Sequence, residues 1–208
     1  MEVESQEAFK ELVDVLGRKP PHVSEEPMTY EEYRALPMDD YCYELVEQKL
    51  ELMSPAPSTL HQLFVATLRD VINETCSSDY LLILSPIDVV FSDHDVRQPD
   101  LILVHRSRMD IVKVRGIFGV PDLVVEVVSP GSFQRDRKEK VVTYSKYRVP
   151  EYWLADPVNS TLEQYFPSGD KLILSEVYEG DELVRSERMP CINFTMSALL
   201  KTLPELSD

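Results

Sequence analysis

Two carboxylates lie in or beside aliphatic runs that predict buried strands. Asp100 follows Pro99 and precedes the run from Leu101 to Val104, and Glu126 lies inside the run from 123 to 128. A buried carboxylate without a partner costs roughly several kcal/mol, so two of them in neighbouring strands require a cation. If the strands pair antiparallel, the start of the first lies beside the end of the second. Asp100 and Glu126 would then be neighbours, which predicts a divalent-metal site.

The chemistry that such a site supports is phosphodiester cleavage. Magnesium prefers oxygen ligands, usually one or two carboxylates with waters, and it leaves positions open for a substrate phosphate. One or two such ions polarise a phosphodiester and generate a hydroxide. A nearby lysine adds charge stabilisation and can position the attacking water. We therefore predict Mg²⁺ or Mn²⁺ as the cofactor.

The position of the lysine departs from the commonest arrangement, in which it follows the glutamate by two residues on the same strand. Val128 occupies that position here, and the nearest candidates are Lys138 and Lys140 on the next predicted helix. Lys140 lies four and seven residues before Tyr144 and Tyr147, so it borders the buried face of that helix. We select Lys140 as the site lysine and keep Lys138 as the alternative.

Four further residues have both a functional and a structural interpretation. Glu44, in a predicted hairpin, is either another metal ligand or an exposed glutamate. His61, one turn into a predicted helix, is more often a hydrogen-bonded interface residue than a ligand. Arg135 and Arg137 either reach a phosphate or face solvent. The structural alternatives for the two carboxylates are a turn cap at Asp100 and a salt bridge at Glu126.

The elements around these residues follow from hydrophobic periodicity and capping signals. The N-terminal part predicts an amphipathic helix over 4–17, a capping box at Thr29–Glu32, a hairpin turning at Glu47-Gln48 and a long helix from Ser58 to Cys76. The remainder predicts strands near 80–84, 87–91, 100–104, 122–128, 151–155, 162–166, 171–177 and 182–188, with helices over 133–147 and from Thr195.

Strands in the middle and helices at both ends predict an α/β fold with a mixed central β-sheet flanked by helices. The pattern divides into an N-terminal helical extension and linker, residues 1–27, and one domain, residues 28–208. No apolar run approaches ~20 residues, so we expect no membrane span. Three widely spaced cysteines, Cys42, Cys76 and Cys191, predict reduced, mostly buried thiols in a cytoplasmic protein.

The charge distribution bears on a nucleic-acid partner. The net charge of −16 argues against one, because phosphate binding depends on Lys and Arg. The segment from Arg97 to Arg148 is nevertheless basic, with eleven Lys or Arg against six Asp or Glu. The basic part of an acidic chain is therefore centred on the predicted site. A solvated helix face of mixed charge is the alternative explanation.

The order of short motifs along the chain resembles the Uma family of restriction-endonuclease-like bacterial proteins, within the PD-(D/E)xK nuclease superfamily. The resemblance runs from about residue 28 to 175, and each motif is weak by itself. The motifs are Met28-Thr29-Tyr30-Glu31-Glu32-Tyr33, Tyr43-Glu44-Leu45-Val46, Met53-Ser54-Pro55-Ala56-Pro57, His61-Gln62, Gln98-Pro99-Asp100-Leu101, Pro121 to Pro130, Asp136 to Lys140, Tyr144 and Val149 to Pro157.

The resemblance implies a restriction-endonuclease-like core and a set of site residues. It implies metal ligands at Asp100 and Glu126, the backbone carbonyl of Val127 as a further oxygen, and the lysine displaced onto the helix at Lys140. Glu44 and His61 lie in family motifs as supporting residues, and so does Gln98, for which the residues suggest no role. The hairpin turn departs from the family, since Glu47-Gln48 replaces the usual Asp-Gly.

These observations predict an Mg²⁺- or Mn²⁺-dependent endonuclease that acts on DNA and pairs as a homodimer to cut both strands. Asp100 and Glu126 would bind the metal, Lys140 would stabilise charge, and Arg135 and Arg137 would approach the backbone. The main alternative is a nuclease fold that has lost catalysis and serves protein–protein interaction or regulation. A third possibility is hydrolysis of another phosphate ester. No base-reading module accompanies the core.

Overall fold

Two six-stranded mixed sheets and four α-helices form the part of the chain that the computed structural model describes, namely residues 26–37, 41–53, 57–129 and 136–206. The helices are α1 (Tyr30–Arg34), α2 (Thr59–Cys76), α3 (Val141–Lys146) and α4 (Met196–Lys201). A 3₁₀ helix covers Arg106–Ile111, and a π-helical turn, Asp136–Lys140, leads directly into α3. The predicted helix over 4–17 lies outside the described residues.

The strands divide between two large sheets and one two-stranded pair. They are β1 (Tyr43–Val46), β2 (Lys49–Leu52), β3 (Tyr80–Leu84), β4 (Val89–Ser92), β5 (Asp95–Arg97), β6 (Leu101–His105), β7 (Val112–Lys113), β8 (Gly116–Phe118), β9 (Leu123–Val127), β10 (Tyr152–Asp156), β11 (Thr161–Ser168), β12 (Lys171–Glu179), β13 (Leu183–Val184) and β14 (Phe194–Thr195). The first sheet has the order β2-β1-β5-β4-β8-β7, the second has β12-β11-β10-β9-β6-β3, and β13 and β14 form a separate pair.

The second sheet has a different buried layer on each face. One face packs on α2 and α4 through residues that include Leu101, Leu103, Val125 and Val127. Because side chains alternate along a strand, Val124 and Glu126 point to the other face. There Val124 packs with Tyr144 and other aromatic and aliphatic residues from α3 to β12. Glu126 is therefore directed towards α3 by the same alternation that buries its aliphatic neighbours.

The predicted mixed sheet flanked by helices is confirmed, and the structure divides the strands between two large sheets. The Thr29–Glu32 capping box and the Glu47-Gln48 turn are as predicted, with φ of 49° and 70° at the two turn residues. The helix from Ser58 to Cys76 is also confirmed. The short strands β5, β7, β8 and β14, of two or three residues each, carry no periodic signal in the sequence. Strand β5 joins β1 of the hairpin to β4, and β8 and β7 extend the first sheet beyond β4.

The prediction that all three cysteines are reduced thiols is wrong for Cys76 and Cys191, which form a disulfide. Their Cα atoms are 5.2 Å apart although 115 residues separate them in sequence. Folding brings the end of α2 against the segment before β14, which sequence spacing cannot reveal. Cys42 is free and exposed, so the expectation of burial also fails for it. The cytoplasmic location, which rested on reduced thiols, stays a prediction.

The described helices include none that is both long and apolar enough to cross a membrane.

Candidate metal centre

Strands β6 and β9 bring Asp100 and Glu126 to adjacent positions. The strands pair antiparallel, with Leu101 opposite Val125, so that one residue further along Asp100 faces Glu126. This is the pairing that the sequence predicts. The Asp100 side chain also takes the place of a backbone hydrogen bond between the two strands, because its Oδ2 accepts the backbone N–H of Val127 at 2.8 Å. The Asp100 carboxylate is thus fixed between the start of β6 and the end of β9, with a fifth of its side-chain surface exposed.

The oxygen atoms at this strand end suit a hard divalent cation. The N–H and C=O of a strand residue point to the same side, so the Val127 carbonyl is directed towards the β6 side. The opposite residue, Pro99, has no N–H with which to occupy that carbonyl. Within the described residues, Asp100 Oδ1 accepts no hydrogen bond. Two carboxylates and a backbone carbonyl are ligands that Mg²⁺ and Mn²⁺ accept.

The candidate ligand set includes only two acidic side chains. Across residues 26–37, 41–53, 57–129 and 136–206, no three or more His, Cys, Asp or Glu side chains converge as metal ligands. A site built on Asp100, Glu126 and the Val127 carbonyl would therefore leave positions for water and for a substrate phosphate. Such partly open coordination is usual for Mg²⁺ in phosphoryl-transfer sites.

Glu126 is almost fully buried and receives hydrogen bonds from two side chains. Only 1% of the residue is exposed. Lys140 Nζ donates to its Oε2 at 2.7 Å, and the Tyr144 hydroxyl donates to its Oε1 at 2.5 Å. Burial and then the charge of Glu126 raise the pKa of the Tyr144 phenol well above its usual value. Tyr144 therefore remains protonated and continues to donate to Glu126 over the physiological pH range.

The structure separates the two candidate lysines. Lys140 is 8% exposed and contacts Glu126, whereas Lys138, two residues earlier on the same turn, is exposed. The π-helical turn before α3 brings Lys140 onto the side of the helix that carries Tyr144. Lys140 thus brings an ammonium group to Glu126 from the turn before α3 and not from β9.

His61 contacts Asp100 from the first turn of α2. Its Nε2 lies 3.2 Å from Asp100 Oδ2, and the ring is buried. Ser58 begins the helix and its hydroxyl accepts the His61 backbone N–H at 3.2 Å. The helix cap therefore sets the position of His61. This contact makes His61 a positioning residue for Asp100, consistent with its interpretation as a hydrogen-bonded interface residue.

Glu44 lies beside Arg97, a residue that the sequence analysis did not select. Glu44 is fully buried, and its Oε2 accepts Arg97 Nη1 at 3.0 Å. Its Oε1 accepts the backbone N–H of Gln98 at 2.8 Å. Both carboxylate oxygens thus hold protein donors, and Glu44 acts in this structure as the counter-ion of Arg97. A metal ion at Glu44 would have to share these oxygens with Arg97 and Gln98, and its role as a ligand stays a prediction.

Gln98 anchors the chain just before Asp100 by contacting Asp88, another residue that the sequence analysis missed. Gln98 Nε2 donates to Asp88 Oδ1 at 2.8 Å, and the Tyr33 hydroxyl donates to the same oxygen at 3.2 Å. Burial raises the pKa of Asp88 despite these hydrogen bonds. The role of Gln98 that the geometry supports is therefore structural: it ties the Pro99-Asp100 corner to the segment before β4.

Of the two arginines predicted to approach a phosphate backbone, only Arg137 lies among the described residues. Arg137 forms a close ion pair with Glu163, and its side chain is partly exposed. Arg135 lies outside the described residues. The basic segment around the site also contains Lys146 and Arg148, which pair with carboxylates of this chain. Much of its positive charge is therefore neutralised within the molecule.

The missed residues differ in the signal that the sequence offered. Tyr144 lies on the same helical stripe as Lys140, so its place was predicted but its hydrogen bond to Glu126 was not. Arg97 follows Val96 in an otherwise polar stretch, Asp93 to Gln98, which gives no local signal that its guanidinium is buried. Nothing in the sequence connected it to Glu44, which precedes it by 53 residues.

A mixed sheet that carries two adjacent carboxylates at a strand end, with a lysine donated by the following helix, defines a restriction-endonuclease-like protein. A family model described as "Uma2: Putative restriction endonuclease" matches residues 30–197. The chain therefore belongs to the Uma2 family. A search of the curated proteins found no match.

One solved structure supports the fold. The chain is similar to a protein described as a "putative nuclease belonging to DUF820" from Anabaena variabilis ATCC 29413, with a TM-score of 0.69 and 23% sequence identity. The similarity covers 84% of this chain and 98% of the other. At this identity the comparison shows a common fold, so the assignment of site residues rests on the geometry described above.

Proposed function

We propose that this protein is a divalent-metal-dependent endonuclease that hydrolyses phosphodiester bonds in DNA. The observation that carries the proposal is the adjacent pair Asp100 and Glu126, with Lys140 Nζ 2.7 Å from Glu126. A carboxylate pair and a lysine at one strand end are the chemical groups that metal-dependent phosphodiester hydrolysis requires. Membership of the Uma2 family supports the same activity.

In this proposal, Asp100, Glu126 and the Val127 carbonyl hold Mg²⁺ or Mn²⁺. The ion, when bound, polarises the phosphodiester and lowers the pKa of a water. Lys140 keeps a positive charge beside Glu126, where it orients the attacking water or stabilises the developing negative charge. We leave Glu44 out of the ligand set because it is the counter-ion of the fully buried Arg97 and lies on β1 in the first sheet, outside the β6–β9 strand pair.

Two residues hold the carboxylates without touching the reacting atoms. Tyr144 donates to Glu126, and His61 lies against Asp100, so each restricts the rotamer of one proposed ligand. A ligand held in one conformation loses less entropy when the cation binds. His61 and Tyr144 are therefore positioning residues in the proposed site.

The DNA substrate is proposed from the family and from the local charge. Arg137 would exchange its contact with Glu163 for a phosphate, and Arg135 would approach the same backbone. Double-strand cleavage would need two active sites, so we also propose a homodimer. The proposed phosphate contacts predict that DNA binding weakens steeply as salt rises, because each contact releases counterions.

A second candidate function is a non-catalytic interaction module with the same fold. The net charge of −16 favours it, as does the pairing of Arg97, Arg137 and Lys140 with carboxylates of this chain. A module of this kind need not keep Asp100 and Glu126 competent for metal binding. Cation binding therefore discriminates between the two functions.

The first experiment is calorimetric titration of Mn²⁺ into the wild-type protein and the Glu126→Gln variant. We expect the wild type to bind Mn²⁺ saturably and the variant to bind it more weakly by about 100-fold or more. Loss of a residue that only hydrogen-bonds to a metal ligand already lowers the metal affinity by about 10–100-fold, and Glu126 is itself a proposed ligand. Glu139→Gln removes the same charge from an exposed site on the lysine turn and is the matched control. Its affinity should equal that of the wild type. Circular dichroism of each variant verifies the fold.

The outcomes separate the candidate functions. Binding that survives Glu126→Gln contradicts the proposed ligand set. Absence of binding to the wild type, with and without DNA, favours the interaction module. If the metal site is present, nicking of supercoiled DNA in Mn²⁺ or Mg²⁺ tests the substrate. Metal binding with hydrolysis of small phosphate esters and no cleavage of DNA would replace the endonuclease with a phosphoesterase of another kind.

A further inference from the structure

Arg97 is a fully buried guanidinium that contacts three separate elements. It lies at the end of β5 with 0% of its surface exposed. Nη1 donates to Glu44 on β1 at 3.0 Å and lies 3.5 Å from Glu51 Oε2 on β2. Nη2 donates to the hydroxyl of Thr143 on α3 at 2.8 Å. One side chain therefore connects the β1–β2 hairpin to the helix that follows Lys140.

The electrostatics of this cluster keep Arg97 charged. Burial would lower the pKa of its guanidinium, but the nearby carboxylates of Glu44 and Glu51 outweigh burial and raise it. Arg97 Nε is buried without a hydrogen-bond partner among the described residues. A buried unpaired N–H costs free energy, so this arrangement is not optimised for stability alone. The orientation of the guanidinium towards Glu44 and Thr143 requires a separate explanation.

Thr143 is placed to transmit that orientation to the proposed metal centre. It lies between Lys140, three residues earlier, and Tyr144, the next residue. Both of these side chains donate to Glu126. A rotation of α3 about its axis would move both donors away from the carboxylate together. The Arg97–Thr143 hydrogen bond opposes such a rotation, because it fixes the helix to the β5 strand.

We propose that Arg97 is a positioning residue that holds α3 through Thr143 and thereby sets Lys140 and Tyr144 against Glu126. The inference deepens the proposed function and rests on it where metal affinity is concerned. The same cluster also holds the other ligand, since Glu44 accepts the backbone N–H of Gln98 two residues before Asp100. Arg97 thus lies between the supports of both proposed metal ligands.

The test uses Thr143→Val, because Arg97 variants would leave Glu44 buried without its counter-ion and can fail to fold. Valine keeps the shape of threonine and removes the hydroxyl. Thr143→Ser restores the hydroxyl and is the rescue variant. Glu51→Gln removes the charge of the 3.5 Å contact on the hairpin side, leaves the Arg97–Thr143 hydrogen bond in place, and is the matched control. Cooperative thermal unfolding verifies that each variant folds.

The first readout is independent of metal. Lys140 is buried and ion-paired, whereas Lys138 on the same turn is exposed. Trace acetylation followed by mass spectrometry gives the ratio of their reaction rates in one molecule. We expect Thr143→Val to raise the ratio of the Lys140 acetylation rate to the Lys138 rate about 5-fold. This is the factor that corresponds to the loss of one hydrogen bond of ordinary net strength. Thr143→Ser and Glu51→Gln should keep the wild-type ratio.

The second readout is the affinity for Mn²⁺, which we expect to fall by about the same factor in Thr143→Val and to be restored in Thr143→Ser. A wild-type acetylation ratio in Thr143→Val overturns the inference, as does a ratio that Thr143→Ser fails to restore. If the wild type binds no Mn²⁺ but the ratio still responds to Thr143→Val, the metal site is wrong and the positioning role stands.

Discussion

Glu126 shows how a single carboxylate can be buried with its charge compensated. Its oxygens accept hydrogen bonds from the Lys140 ammonium and the Tyr144 phenol, and the ammonium balances the negative charge. Charge-assisted hydrogen bonds of this kind are roughly twice as strong as neutral ones. In the proposed metal site, this arrangement would hold the ligand in place before the cation binds and would lower the entropy cost of binding.

Asp95 offers a residue-scale prediction that is independent of the metal site. Burial alone would raise its pKa, but hydrogen bonds from Lys146, Tyr147 and the Glu47 N–H lower it below the usual value. The folded-state pKa is thus below the unfolded value of about 3.9. The stabilisation is present above that pH and is lost as the pH falls through the folded-state pKa.

We therefore expect Asp95→Asn to lower the free energy of unfolding at pH 7 by about 1–3 kcal/mol. The difference from the wild type should shrink as the pH falls from about 4 towards 2. Urea unfolding at several pH values measures both quantities. Asp93→Asn, at an exposed position two residues earlier, is the control. A difference that stays constant with pH would show that Asp95 contributes by packing and not by its charge.

At the scale of elements, the ends of helices place the side chains of the candidate site. Helix α2 begins at the Ser58 cap, which presents His61 to Asp100 in the first turn. Helix α3 begins after a π-helical turn, and that turn presents Lys140. The two helices approach the same strand end from opposite faces of the second sheet. Their starting residues therefore decide which polar groups reach the carboxylates.

The Ser58 cap yields an element-scale prediction. Replacing Ser58 with Ala removes the acceptor for the His61 N–H and should lower the free energy of unfolding by about 1 kcal/mol. Ser58→Asn should retain the wild-type stability, since asparagine caps as well as serine. Thermal unfolding compares the three proteins. Equal stability of Ser58→Ala and Ser58→Asn would mean that the cap does not stabilise α2.

At the scale of the whole molecule, one covalent bond joins distant parts of the chain. The Cys76–Cys191 disulfide connects the end of α2 to the segment before β14, across 115 residues. The disulfide also borders the main core, in which Cys76 packs with residues of α2 and α4. A bond that closes so long a loop restricts the unfolded chain strongly.

We expect reduction of this disulfide to lower the free energy of unfolding by roughly 2–4 kcal/mol and the melting temperature by roughly 5–15 °C. Thermal unfolding with and without a reductant measures the effect. The Cys76→Ser, Cys191→Ser double variant should not respond to the reductant. Cys42→Ser should respond as the wild type does, because Cys42 is free. An unchanged melting temperature of the wild type would contradict the stabilising role.

The amino-acid sequence by itself determined most of the elements and the central residues of the candidate site. The signals for these features are local, because the residues that carry them lie within one or two turns of each other. They are strand alternation, the Thr29 and Ser58 caps, and the spacing of Lys140 from Tyr144. The pairing of Asp100 with Glu126 also follows from local pattern, because two short aliphatic strands that pair antiparallel have few possible registers.

Only the tertiary structure decided the contacts that join distant elements. The Arg97–Glu44 pair, the Gln98–Asp88 contact, the disulfide and the pairing of the short strands in the first sheet have no periodic signature. The first and third of these connect residues 53 and 115 positions apart. A buried charge or thiol shows in the sequence that some partner is required. Which partner it finds depends on how the sheets and helices pack, and that packing is set by many weak contacts acting together.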